Sequence, residues 1–269
     1  MNGGRGAVIT GGAGGLGTAI AHALSDAGYD VWVTDLDGGA AEQVAAEIGA
    51  RARALDVTDA AACEALASEI GTDLVLWVNN AGLLFTGPTW EMTESQRRLL
   101  VDVNTHGTVN GTLAALKMMR KQRSGHVINI VSLAGLAAPP GEALYAATKH
   151  AALGFSLGTL ADLHAAGLRD VHISAICPDG IWTPMLFDKL EDREAASSWS
   201  GTLLMPAQVA AVVARVAKSP RPVTSIPRWR GGLARFSELS PRIARLLYPV
   251  LMRAARRKQR KFAASHRAN

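Results

Sequence analysis

The sequence has little with which to build a covalent or metal-held scaffold. Its 269 residues include two cysteines, Cys63 and Cys177, far apart and in no Cys-x-x-Cys pair. That argues against a disulfide framework and a cysteine zinc site, and fits a reducing compartment. No uninterrupted apolar run is long enough to span a bilayer. The opening Met1-Asn2-Gly3-Gly4-Arg5-Gly6 has no charged-then-apolar leader, so a cytoplasmic protein is expected. Charged residues make up only 19% of the chain against 48% hydrophobic ones. This balance excludes a disordered or collagen-like chain and is enough for one sizeable core. There is no internal repeat and no low-complexity linker. His106 and His150 lack ligand spacing, so no metal site is expected. Acids are nearly missing from the end of the chain. From Arg215 to Asn269 there are 15 Lys and Arg and one acid, Glu238, whereas residues 1–214 hold 13 basic and 22 acidic residues. The net charge of +5 therefore hides an acidic body and a basic tail.

What is present is an alternation of apolar β-rich runs with alanine-rich helical stretches. The runs are Ala7–Thr10, Val31–Thr34, Leu74–Val78, Val127–Val131, Val171–Ile176 and Pro222–Ile226. Continuously apolar strands imply burial on both faces, as in parallel sheets covered by helices. The segments between them, such as Leu16–Gly28 and Tyr145–Ala165, have the length of crossover helices. The expected fold is α/β, a doubly wound parallel sheet of Rossmann type in three layers, formed by a single domain. Its bounds are set at 1–227, with a basic helical extension over 228–269.

Between the first strand and the first helix lies Thr10-Gly11-Gly12-Ala13-Gly14-Gly15-Leu16-Gly17. Small residues there let the backbone approach a pyrophosphate, and a helix N-terminus supplies free N–H donors with a favourable dipole. Asp35 follows at the end of the second strand. A carboxylate at that point accepts hydrogen bonds from ribose hydroxyls and repels a 2′-phosphate. No Arg or Lys lies in the loop or directly after Asp35, so the expected cofactor is NAD rather than NADP.

These residues, read with those that follow, resemble the short-chain dehydrogenase/reductase family over about Arg5 to Ile226. Thr10, Gly11, Gly15 and Gly17, with Leu16 between the last two, match its phosphate loop. Asp56-Val57 resembles the pair that meets the adenine ring. Asn79-Asn80-Ala81-Gly82 matches the segment that braces the sheet and lines the cofactor site, a role the resemblance gives to Asn80, Ala81 and Gly82. Asn104 looks like the helix asparagine of the family's proton relay. Ser132 ends a strand, and Tyr145-Ala146-Ala147-Thr148-Lys149 follows 13 residues later. Each motif is common by chance; their joint occurrence in this order is not. After the strand Val171–Ile176 the chain reads Cys177-Pro178-Asp179-Gly180-Ile181-Trp182-Thr183-Pro184, where the family has Pro-Gly and then a threonine that contacts the nicotinamide amide. Pro178, Gly180, Ile181 and Thr183 are carried over with that departure. Asp179 reads as a turn residue.

The implied chemistry explains the residue types. Alcohol oxidation needs a hydride acceptor and a base, and a free tyrosine with a pKa near 10 is a poor base at neutral pH. An ammonium one helical turn away, at Lys149, favours the phenolate. Ser132 would stabilise charge on the substrate oxygen, and Asn104 would hold a water that carries the proton outward. Leu83–Met92, Leu133–Leu144 and a lid over about 184–205 should border a largely apolar pocket, to which Trp90, Met185, Leu186, Phe187, Trp199 and Leu204 contribute. That lining suits a lipophilic secondary alcohol or its ketone. The acids of the lid, Asp188, Glu191, Asp192 and Glu194, are expected to face outward. The fold also leaves open an epimerase, a dehydratase or a non-catalytic NAD(P)-sensing scaffold. Family resemblance implies a homodimer or homotetramer.

In the tail, Pro241–Phe262 reads as a helix, or two kinked at Pro249, with apolar Leu246, Leu247, Val250 and Leu251 ahead of a basic run. Four placements fit: a solvated tail, docking over the active-site mouth, contact with an acidic neighbouring subunit, or peripheral contact with an anionic membrane. Nucleic acid is not expected, since no aromatic interleaving accompanies the charge.

Overall fold

The structure is a computed structural model and describes residues 4–267. Seven strands, β1 (Gly6–Thr10), β2 (Asp30–Asp35), β3 (Arg51–Ala54), β4 (Leu74–Asn79), β5 (Gly125–Ile130), β6 (Val171–Pro178) and β7 (Val223–Ile226), form one sheet. Their order is β3-β2-β1-β4-β5-β6-β7, and every pair is parallel.

Alternation along the strands divides the core in two. Val8, Trp32, Trp77, Val127 and Ile173 point to one face. There they meet α3 (Ala60–Ile70), α5 (Gly107–Gln122) and α6 (Ala143–Ala165). Ala7, Ile9, Val31, Val33, Leu76, Val78, Ile128 and Ile176 point to the other face, against α1 (Gly15–Asp26), α2 (Gly38–Ile48) and α8 (Pro206–Lys218). This is the expected three-layer doubly wound sheet. Burial of each Val, Leu or Ile contributes about 1.5–3 kcal/mol, so such strands have no stable alternative facing water.

The strand over Arg51–Ala54 was not among the expected ones. Its sequence, Arg-Ala-Arg-Ala, offers no apolar run, and it exists by pairing with β2 at the sheet edge. Between α4 (Glu94–Val101) and α5 the helix widens into a π-helical turn over Asp102–His106, which carries Asn104. Beyond β6 come a short helix, α7 (Pro184–Phe187), and 3₁₀ turns over Arg193–Trp199. The tail forms α9 (Arg228–Leu239) and α10 (Pro241–Arg267), the latter one helix with Pro249 inside it. Among the described residues no helix is long and apolar enough to cross a membrane.

Candidate active site

The carboxyl ends of β1, β2, β4, β5 and β6 meet along one edge of the sheet, where folds of this type bind ligands. The glycine loop lies there. Gly11 has φ +61°, and a Cβ on it would stand 2.8 Å from Ala81 Cα. A Cβ on Gly17 would lie 2.0 Å from the Gly11 carbonyl, so side chains are excluded where helix and loop touch. The N-terminus of α1 has no side-chain cap and no acid in its first turn. Its free N–H groups are thus available to an anion. Asp35 accepts from Ala13 N at 3.1 Å through Oδ2 and from Asp37 N at 3.3 Å through Oδ1, which holds the carboxylate beside the loop.

The Asn79–Gly82 segment splits its work. Asn79 donates to Thr112 Oγ1 (3.0 Å) and Asn129 Oδ1 (2.8 Å) and accepts from Trp77 Nε1 (2.8 Å), tying β4 to α5 and β5. Asn80 Nδ2 donates to the carbonyls of Thr10 and Gly11, while Thr10 Oγ1 accepts from the amides of Asn80 and Ala81. Asp56 Oδ1 accepts from Thr58 N at 2.8 Å, and the Val57 carbonyl accepts from Asn110. The preceding Leu55 N donates to the Asp35 carbonyl at 2.8 Å, and Val57 is buried in the core.

Ser132 lies two residues past the end of β5, and its Oγ accepts from Ala134 N at 3.1 Å. Tyr145 and Lys149 lie one turn apart on α6, with Lys149 Nζ 5.7 Å from the Tyr145 ring centroid. Lys149 is buried and donates to the Ile130 carbonyl at 3.1 Å. Burial lowers its pKa from 10.5 to about 8. Burial, and then the nearby Glu142 carboxyl, raise the Tyr145 phenol, whereas a hydrogen bond with the Ser132 side chain pulls it down. A Cβ on Gly82 would stand 3.3 Å from Asn104 Oδ1 and 3.5 Å from Lys149 Nζ, so these groups border one cradle.

Asn104 is fully buried, and its side chain is occupied. Oδ1 accepts from Leu83 N at 2.8 Å; Nδ2 donates to the Leu83 carbonyl at 2.9 Å and to Thr148 Oγ1 at 3.2 Å. Its main-chain carbonyl accepts from Thr108 Oγ1 at 2.8 Å.

Past β6, Thr183 and Pro184 lie against the glycine loop: a Cβ on Gly15 would be 3.3 Å from Thr183 Cγ2 and 3.2 Å from Pro184 Cδ. Pro178 closes β6 in register with Ile226. Ile181 forms an isolated bridge to Leu204, and the Gly180 carbonyl accepts from Leu204 N at 2.8 Å. Asp179, read from sequence as a turn residue, also anchors an ion pair. Its Oδ2 meets Arg230 Nε of α9 at 3.0 Å in a largely buried position, and its Oδ1 accepts from Gly180 N.

The lid departs from expectation in detail. Asp188, Glu191 and Glu194 face outward as expected, but Asp192 turns in and accepts from Thr86. Trp90 and Met185 are exposed rather than lining a pocket. Trp199 is fully buried, packed on Trp182 at 6.1 Å and on Phe262 of α10 at 5.5 Å between ring centroids. Gln259 of α10 donates to the carbonyls of Lys189 and Asp192. The tail thus packs on the lid, one of the placements left open by the sequence.

Glu142, three residues before Tyr145, was not singled out in the sequence. It is buried, and its Oε1 accepts from Ser198 and, at 2.7 Å, from Ser197, joining the start of α6 to the lid. Its only sequence signal was a lone acid in an apolar loop. Burial lifts its carboxyl above the ordinary 4.5. The folded chain then holds a proton that the unfolded chain releases, so stability falls as pH rises from 4.5 through the folded value. Glu142→Gln keeps an acceptor for both serines and removes that loss. Urea midpoints at about pH 5 and about pH 8 should differ less in the variant than in the wild type; an equal or larger difference refutes this.

A short chain dehydrogenase family model matches residues 5–194. A 1-deoxy-11-beta-hydroxypentalenate dehydrogenase of Streptomyces exfoliatus is 34% identical over 208 residues, covering 73% of this chain and 74% of that protein. An acetoacetyl-CoA reductase of Paracoccus denitrificans is 35% identical over 185 residues, 67% of this chain and 75% of that protein. A solved short-chain dehydrogenase/reductase of Burkholderia phymatum, in complex with NAD, shares the fold with a TM-score of 0.80 at 24% identity, covering 90% of this chain and 95% of that one. The chain belongs to the short-chain dehydrogenase/reductase family, and it is an oxidoreductase that acts on a CH–OH group.

Proposed function

We propose that the enzyme uses NAD to interconvert a lipophilic secondary alcohol and its ketone, with Tyr145 as base in oxidation and acid in reduction. The observation that carries this reading is the convergence of Ser132, Tyr145 and Lys149 beside the Gly82 cradle. The uncapped α1 N-terminus, the side-chain-free loop and the Asp35 carboxylate fit a dinucleotide. When bound, the oxidised nicotinamide supplies the hydride acceptor and a positive charge near the phenol. Thr10, Gly11, Gly15, Leu16 and Gly17 would hold the pyrophosphate, Asp35 the adenosine ribose, Asp56 and Val57 the adenine, and Thr183 the amide end. Lys149 would hold the nicotinamide ribose and favour the phenolate by its charge. Ser132 would donate to the substrate oxygen, where charge develops, and Tyr145 would take the hydroxyl proton. The proton would then leave past Lys149 to a water held at Asn104, whose side chain also positions Leu83 and Thr148.

The NAD reading rests on Asp35 and on the absence of a free cation beside it in β3, whose Arg51 and Arg53 pair with Asp30 and Glu69. Asp35→Ala should weaken NAD about tenfold and narrow or reverse its preference over NADP, read from KM for both cofactors; an unchanged ratio counts against the assignment. The lipophilic reading rests on the apolar Leu83–Phe85 segment and on a lid built around Trp182, Phe187 and Trp199. The two free, buried cysteines fit a cytoplasmic enzyme. Exposed Leu99, Leu113 and Leu157 on α4, α5 and α6 fit a homodimer or homotetramer built on those helices.

A screen of nicotinamide reduction across lipophilic and polar secondary alcohols, with NAD and NADP in parallel, tests the reading. Turnover is expected with NAD on lipophilic members. A strict preference for sugars or charged hydroxy acids would overturn the substrate class, and no turnover on any alcohol or ketone would overturn the reaction.

A further inference from the structure

The helix α10 has two faces with different tasks. On one, Ala255 and Gln259 are buried and Phe262 packs on the lid tryptophans. Outside that face, Ile243, Leu246, Leu247, Val250 and Leu251 are exposed, Leu246 to 77%. Their spacing of three and four residues makes them a single stripe. Continued by helical periodicity, that stripe passes into Arg257 and Lys261, also exposed, with Arg253 beside them. The preceding helix repeats the pattern: Trp229, Leu233 and Phe236 form an exposed stripe on α9, followed by Leu239 at 82%. Apolar surface of this extent marks an interaction site on a water-soluble domain.

Charge selects the occupant. Residues 228–269 carry 12 Lys and Arg and one acid. Two copies joined through this face would bring two strongly cationic segments together, and seating it on the acidic body of another copy would be a heterologous contact that need not close. An anionic bilayer offers an apolar interior and a negative surface together, in the order in which α10 presents its own apolar and cationic turns. Since no described helix is long and apolar enough to cross a membrane, the helices would lie in the interface.

We propose that α9 and α10 seat this enzyme on an anionic membrane surface. The apolar stripes enter the boundary between headgroups and acyl chains, and the exposed cations of α10 meet lipid phosphates. Ala255, Gln259 and Phe262 of α10 stay on the lid, so the active-site cover sits next to the bilayer. The inference stands independently of the proposed catalytic chemistry.

The test is sedimentation of the full chain with phosphatidylcholine vesicles, with and without phosphatidylglycerol, at low and high salt. Wild type should bind the anionic vesicles and lose binding with salt. Leu246→Asp with Val250→Asp, and separately Arg257→Glu with Lys261→Glu, should each bind at least about tenfold more weakly, with unchanged urea midpoints. The charge reversal alters only exposed positions and decides the matter alone if the first variant fails to fold. Absence of wild-type binding to anionic vesicles, or equal binding by both variants, would overturn the proposal. So would a drop in assembly size by light scattering in the Leu246→Asp, Val250→Asp variant, which would make the face a protein interface.

Discussion

Tyr145→Phe is expected to lower kcat by about three orders of magnitude while leaving NAD affinity within about twofold. The phenylalanine ring keeps the packing of α6 and its place beside Lys149, whose Nζ lies 5.7 Å from the Tyr145 ring centroid. It removes only the hydroxyl proposed to exchange the proton. General acid–base groups contribute about 10²–10⁴ in rate. The middle of that range, and not its lower end, is expected here because neighbouring groups are poor substitutes. Ser132 already accepts from Ala134 N, and Lys149 donates to the Ile130 carbonyl. Steady-state kinetics with an isothermal titration of NAD check the prediction. A loss below about tenfold, or a parallel loss of cofactor binding, would remove Tyr145 from the proton-transfer role.

The second large effect concerns stability. Arg230→Met should destabilise the fold by about 3 kcal/mol, because it strips the partner from a largely buried carboxylate. The side chains of Asp179 and Arg230 are 9% and 18% exposed, and their atoms lie 3.0 Å apart. Gly201 closes against the same carboxylate: a Cβ there would lie 1.9 Å from Asp179 Oδ2, so little room is left for water. The double variant, with Asp179→Asn added, should recover most of the loss, since no unpaired charge then stays buried. By contrast, Arg98→Ala, which removes an exposed bridge to Glu94, should change stability by less than about 1 kcal/mol. Urea denaturation of wild type, Arg230→Met, Asp179→Asn and the double variant completes the cycle, with Arg98→Ala as the exposed control. A double-variant loss equal to the sum of the two single losses would show that the pair is not coupled.

Much of the scaffold was legible from residue order because its signals are local. Strands β1, β2, β4, β5 and β6 are buried on both faces and so read as apolar runs. The edge strand β3 escaped notice because its arginines face water and its pairing is set by β2. The glycine loop, Asn79–Gly82 and the Ser132, Tyr145 and Lys149 set were readable as motifs. Their companions were not. Asp179 looked like a turn residue because Arg230 lies 51 positions away. Glu142 drew no attention because its serine partners are 55 and 56 positions away. Asn104 was placed correctly on a helix, but its occupied amide follows from a π-helical turn that no spacing rule announces. Tertiary pairing across long loops leaves no periodic trace in the chain.

The Asp179–Arg230 clasp has a bearing on the order of synthesis. A ribosome delivers the glycine loop, Asp35 and the Asn79–Gly82 segment first, and the sheet can begin to assemble around them. The turn after β6 emerges with a carboxylate whose counter-ion has not yet been translated. Until α9 leaves the exit tunnel, the nascent chain holds a cofactor cleft without a finished far wall. The residues of α10, translated after α9, then complete the enclosure. Closure of the cleft therefore runs from the glycine loop to the turn after β6, in the direction of translation.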